Sequence, residues 1–454
     1  MTGIATTWAG QAPPWDVAPG AGERGRAVRD VVFLLAIVLL NVTLFRPSPV
    51  DVAFSLAFAL TLFSRQRITP SALLYFGLVA VWLGSMFHSS IDLLDDEEVT
   101  YQVTKIGFAA SIGLCACLIS IHWSGTQFRR FLRVWIFSAM VAATLGTIGF
   151  AGNVEVFTWD GRAKGLFDDP NMYGAFLIPG LVGAVHFLFT GGRRWLYAGC
   201  ILWLTLGLLL SFSRVAIAAA LLLSFVLMGF LNRRTILKTV AYTALAAVAL
   251  GVVGLCAAVL IDGFDDKVFD RFTLAKDYDL GERGRLGGYL NSINLILASP
   301  GGLGLLQYER MFPEPIHNIW ISSFMNYGWP AGFAWSFLVT FAIMGGIRNF
   351  RATRDPVCIT ILLAWLGIAA CSMLHEAERW RHLWLMTGLV WGMNHRSWLP
   401  QRLDVPGPAS RRVPLRPAAP APGGESPPGP GPATGRWPRR GGRPAFQGAP
   451  AAAG

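Results

Sequence analysis

Charged side chains are scarce in this sequence. Asp, Glu, Lys and Arg together make up 14% of its 454 residues, against ~25% in soluble domains. The shortage excludes an ordinary soluble domain. Apolar runs long enough to cross a ~30 Å hydrocarbon core recur along most of the chain, and no soluble core of this size buries them all. A disulfide framework is also excluded. Cys115, Cys117, Cys200, Cys256, Cys358 and Cys371 all lie inside apolar runs, where cysteine acts as a small buried or lipid-facing residue. The same placement argues against a zinc site. The short basic-then-apolar layout of a cleaved signal is missing as well. Residues 1–27 are polar and rich in Gly and Pro, so the first apolar run reads as a retained helix.

What remains is an all-α, polytopic membrane protein. Twelve spans are expected, near 28–45, 51–64, 71–87, 103–121, 131–150, 172–189, 195–212, 214–231, 237–261, 329–347, 357–374 and 383–395. The second and last are short enough to be interfacial segments. The formal net charge of +11 is read as orientation in the bilayer rather than as nucleic-acid binding, because the basic residues sit mostly in short loops and in the tail. Arg24, Arg26 and Arg29 precede the first span. Arg65 and Arg67 follow the second, and Arg129, Arg130 and Arg133 separate the fourth from the fifth. Arg193 and Arg194, then Arg233, Arg234 and Lys238, then Arg348, Arg351 and Arg354 occupy later even loops. The loop after the third span holds instead Asp92, Asp95, Asp96, Glu97 and Glu98. The alternation implies an even span count with both termini cytoplasmic.

The domain plan has three parts. Residues 1–27 form a disordered cytoplasmic N-terminus, and 28–399 the transmembrane domain. Within the latter, 262–316 is a long extracytoplasmic loop. Residues 400–454, rich in Pro, Ala, Gly and Arg, are expected to form a disordered cytoplasmic tail. In the long loop, Leu286, Leu290, Ile293 and Leu297 recur at helical spacing. This predicts a small helical cap on the outer membrane surface.

Polar residues at the outer ends of spans carry the functional signal, since burying charge in a membrane is costly. Arg214 follows "SFS" between two apolar runs with almost no loop. It either snorkels to headgroups or clamps a phosphate or diphosphate. Arg283 and Arg285 precede the amphipathic stretch, as solvated loop charges or as further ligands. His317 and Asn318 open the segment before the tenth span. Histidine is the side chain best suited to general-base work at neutral pH. Asp168, Asp169, Pro170 and Asn171 read as a turn and helix cap, which explains the paired aspartates without a metal.

Four stretches, "RAKGLFDDPNMYGAFL", "SFSRVAIAAA", "RGRLGGYLNSINLILASPGGLGL" and "HNIWISSFMNYGWPAGF", resemble in order and spacing the O-antigen ligase and O-antigen polymerase superfamily. The resemblance covers roughly residues 150–350. It implies an inverting glycosyltransferase that uses an undecaprenyl-diphosphate-linked glycan on the outer face of the bacterial inner membrane, with no nucleotide sugar, metal or other cofactor. Family positions fall on Arg214, Arg285 and His317 as catalytic residues. Arg162, Asn171, Arg283 and Asn318 are the accompanying candidates for substrate binding. The acceptor is lipid A-core for a ligase, another lipid-linked glycan for an O-antigen or exopolysaccharide polymerase, or a protein. Besides these substrates, membrane lipids are the partners expected. A rival class is the twelve-span secondary transporter. Against it stand the lack of a long central cytoplasmic loop and of charged residues in the middle of spans. A metal-dependent oligosaccharyltransferase would want acidic residues in the first outer loop, which offers only Asp51.

Overall fold

The computed structural model describes residues 21–43, 48–64, 68–232, 251–252, 255, 259, 285–312 and 315–398. Most of the expected ninth span, the first part of the long loop with Arg283, both polar ends of the chain and Cys256 lie outside the described residues. The described chain is helical, in the order α1 (Ala21–Leu39), α2 (Pro49–Leu62), α3 (Pro70–Ser90), α4 (Glu97–Ser120), α5 (Gly125–Ala151), α6 (Pro170–Thr190), α7 (Arg194–Leu210) and α8 (Arg214–Leu231). After the gap come α9 (Arg285–Ala298), α10 (Gln307–Met311), α11 (Ile319–Met325), α12 (Trp329–Thr353), α13 (Pro356–Cys371) and α14 (Arg381–Gly392).

Several helices start by one device. Ser48, Thr69, Asp169 and Asp355 cap α2, α3, α6 and α13, each with its side-chain oxygen accepting a backbone N–H of the first turn and each followed directly by Pro. The cap satisfies an otherwise orphaned donor, and proline sits where its missing N–H is harmless. Away from water such satisfaction matters more.

Six helices are long and apolar enough to cross a membrane among the described residues; Pro49–Leu62, Arg194–Leu210 and Pro356–Cys371 are shorter apolar helices. The expected count of twelve is therefore not met by length. The 12 residues of α14 extend only about 18 Å at ~1.5 Å per residue. Outward faces are apolar: Val52, Leu56, Leu73, Val81, Phe137, Leu222, Phe333 and Phe337 are all exposed. Such a surface suits lipid, not water.

Helix ends differ from the expected spans in a consistent way. Helix α4 begins at Glu97 rather than 103, capped by Asp96, so Glu97 and Glu98 occupy its first turn, where negative charge favours the helix dipole. Helix α5 begins at Gly125 rather than 131. Arg129, Arg130 and Arg133 thus lie on a helix instead of in a loop. Arg129 pairs with Asp355 at 2.7 Å, and the Arg133 guanidinium stands 4.9 Å from the Phe187 ring. Long basic side chains let a helix run past the apolar boundary.

Helix α6 forms the centre, with every residue from Met172 to Phe187 buried. Helices α4 and α14 touch backbone to backbone. A Cβ at Gly388 would stand 2.0 Å from the Gly113 carbonyl oxygen, and one at Gly392 2.1 Å from Ser120 Oγ. Small residues four apart on one face permit this approach. The expected amphipathic helix is present as α9, with Leu290, Ile293 and Leu297 exposed. Between α9, α10 and α11 lies a separate small core of Tyr308, Ile316 and Met325.

Candidate functional site

One break in the helical pattern leads to the site. Thr158–Trp159 (β1) and Arg162–Ala163 (β2) pair antiparallel. Between them Asp160 and Gly161 have φ of 52° and 65°, the two-residue turn that Asp-Gly favours. This hairpin carries Arg162 to the start of α6. There Arg162 Nε donates to the Ser211 carbonyl and Nη2 to Asn171 Oδ1, both at 2.8 Å. Asp169 Oδ1 in turn accepts the Asn171 N–H at 2.7 Å. Burial pushes the Asp169 carboxyl above its ordinary pKa, more than that hydrogen bond and the nearby Arg162 charge pull it down.

A cavity of about 820 Å³ opens at this end of the bundle. Its walls come from the first turns of α4 (Glu98 to Lys105), the hairpin, the start of α6, His317, and the connection from His375 to Arg381 between α13 and α14. Lys105 pairs with Asp168 at 3.7 Å, and Arg381 with Asp51 at 2.8 Å.

His317 Nδ1 lies 3.2 Å from Glu376 Oε1. Arg379 grips the other carboxylate oxygen at 3.0 Å and donates to Gln102 Oε1 at 3.4 Å. Burial alone would raise the Glu376 carboxyl; the hydrogen bond from His317 and the Arg379 charge outweigh it and hold its pKa below the ordinary value. Two residues on, Glu378 is buried and accepts a hydrogen bond from Ser322 of α11. Burial pushes its carboxyl up to about 7.

The glycine motifs set the frame for His317. Gly302 and Gly328, with φ of 90° and 88°, face each other. A Cβ on Gly328 would stand 2.6 Å from the Pro300 carbonyl oxygen, and one on Gly302 2.5 Å from that of Asn326. Leu303 N donates to Met325 O and Trp329 N to Pro300 O, both at 2.9 Å. The "SPGGLG" turn is thereby laced to the end of α11, whose other end follows His317. These glycines serve close backbone approach.

The structure brings His317, Arg162 and Asn171 to one cavity. Asn318 spends its side-chain oxygen on capping α11, accepting from Trp320 N at 2.9 Å and Ile321 N at 3.2 Å. Arg214 begins α8 just after the Ser211–Ser213 turn that Arg162 holds, and is not among the residues lining the cavity. Arg285 begins α9; Arg283 lies outside the described residues. Glu376, Glu378 and Arg379 are not among the residues expected from the sequence. Their signal is the charge cluster "HEAERWRH" between two apolar runs.

These features define a predominantly helical, multi-pass membrane protein with a polar, titratable cavity at one end of its bundle. Residues 199–336 match the family model described as O-Antigen ligase. The match supports, for this part of the chain, the O-antigen ligase and polymerase resemblance that the four motifs implied, and with it a membrane function of the glycan-transfer or polymerase type. It takes in both the Ser211–Arg214 turn and His317. No curated protein matches the chain.

Proposed function

We propose that the chain transfers a glycan from an undecaprenyl-diphosphate carrier to an acceptor hydroxyl, inside the His317 cavity and on the outer face of the bacterial inner membrane. The observation that supports this most is the His317–Glu376 pair in a cavity that Arg162 also lines. The alternation of loop charges supports the outer face and cytoplasmic termini.

Glu376 accepts the Nδ1 proton of His317, which leaves the Nε2 lone pair for the acceptor hydroxyl. The acceptor oxygen attacks the anomeric carbon from the face opposite the diphosphate. The bond from that carbon to the phosphate oxygen breaks, its electron pair leaves with the lipid diphosphate, and the hydroxyl proton passes to His317. The anomeric configuration inverts. Arg162 and, by motif position, Arg214 and Arg285 offset the charge that grows on the diphosphate. The reaction needs no metal in this scheme.

Purified protein, lipid-linked glycan and candidate acceptors test the reading. Transfer that His317→Ala abolishes while membrane insertion stays intact is the expected result; near-normal transfer by that variant overturns the role. A single addition to lipid A-core marks a ligase, our preferred reading. A ladder of products marks a polymerase, and a glycosylated polypeptide a protein glycosyltransferase.

A further inference from the structure

A second cavity, of about 380 Å³, lies between the first half of α1 and the connection from α4 to α5. It sits at the end of the bundle opposite His317. Helix α1 runs from this cavity toward Thr43, which lines the larger one, and α4 runs back from Glu98, also in the larger one, to Trp123 here. Arg26, Arg29 and Arg130 line the small cavity.

Arg29 is 1% exposed. Its Nε and Nη2 donate to Asp30 Oδ1 at 3.1 and 2.8 Å, and Trp123 Nε1 donates to Asp30 Oδ2 at 3.3 Å. The Asp30 charge is thus engaged by one arginine and one indole. Arg26 and Arg130 add two positive charges. Arg29 Nη1 is buried and has no hydrogen-bond partner among the described residues, although it belongs to a side chain that lines the cavity. A buried guanidinium N–H without an acceptor is unfavourable, and an anion in the cavity would supply one.

We propose that this cavity binds a phosphate anion, held by Arg29 from below and by Arg26 and Arg130 at the rim, and that the phosphate is the headgroup of an anionic phospholipid. Planar guanidinium groups match phosphate oxygens. The lipid source rests on the walls. Val31 and Leu34 line the cavity, and Val28, Val31 and Leu35 of α1 are 54, 62 and 52% exposed. They offer acyl chains an apolar track beside a basic pocket, the arrangement by which basic pockets between membrane helices take lipid headgroups.

Thermal unfolding and native mass spectrometry of the full chain in detergent, with phosphatidylglycerol, phosphatidylcholine or inorganic phosphate added, test the site. Phosphatidylglycerol should raise the unfolding temperature and stay bound, and phosphatidylcholine should do neither. The double variant Arg26→Gln, Arg130→Gln, whose sites are at the rim, should unfold like the parent without lipid yet bind phosphatidylglycerol about tenfold or more weakly, the effect of losing charge-assisted bonds to phosphate. Arg29→Gln should weaken it further. Unchanged lipid binding by the double variant, or equal protection by phosphatidylcholine, overturns the site. Equal protection by inorganic phosphate alone overturns the lipid source.

Discussion

His317 and Glu376 meet at 3.2 Å although one precedes α11 and the other follows α13. In the proposed reaction the carboxylate would fix the imidazole tautomer and stabilise the imidazolium formed on proton transfer. Glu376→Gln should lower transfer by about 10²-fold, within the range of general-base contributions, with unfolding temperature near that of the parent. The double variant with His317→Ala should be no worse than His317→Ala alone, because the two act as one unit. Turnover with lipid-linked glycan checks this, and additive losses would separate the pair.

Glu378 predicts a pH dependence of stability. Burial pushes its folded carboxyl up to about 7 from an ordinary 4.5. Between these values the folded state holds a proton that the unfolded state has released, so stability is fullest below about 4.5 and falls as pH rises through about 7. Glu378→Gln should remove this fall, on the order of 3 kcal/mol at pH 8. Unfolding measured from pH 5 to 8 reads it, and parallel curves for parent and variant would show that Glu378 is not responsible.

Arg162→Lys keeps the charge but loses the planar fork that reaches both the Ser211 carbonyl and Asn171 Oδ1. Donor KM should rise about tenfold, the scale of one charge-assisted hydrogen bond, with a smaller effect on acceptor KM. Steady-state kinetics with each substrate varied in turn tells the two apart.

Gly328→Ala puts a methyl group 2.6 Å from the Pro300 carbonyl at φ 88°. The strain is about 1–3 kcal/mol before any clash. Thermal unfolding should drop by several degrees and transfer should fall with it. Ala331, beside it on α12 and also buried, provides the comparison. Ala331→Gly should lower stability by only about 1 kcal/mol.

The helices were legible in the sequence because lipid demands long apolar runs with their backbone bonds closed internally. Helix α8 starts and ends at 214 and 231, as expected. The starts of α4 and α5 lie earlier than expected because Glu97, Glu98 and Arg129 look like loop residues, yet their side chains reach outward from helical backbone. Motif order marks His317 and Arg162 as candidates, and both line the larger cavity. It does not mark their neighbours. Nothing in the spacing of "HEAERWRH" indicates that this connection folds back over α11, and only the tertiary contacts of Ser322 with Glu378 and of His317 with Glu376 reveal it. Arg162 is visible in the sequence as a motif residue, while the hairpin that aims it forms only from the Asp-Gly turn at 160–161.

Helix α14 has a consequence for biogenesis. It is short, buried on all sides and seated on α4 through Gly388 and Gly392, so it has little lipid-facing surface of its own to drive insertion. It must enter a groove that the earlier helices have already formed. Glu376 and Arg379 lie on the connection just before it. The His317–Glu376 pair therefore forms only when the connection before α14 is in place, and a nascent or misassembled bundle carries the histidine without its carboxylate.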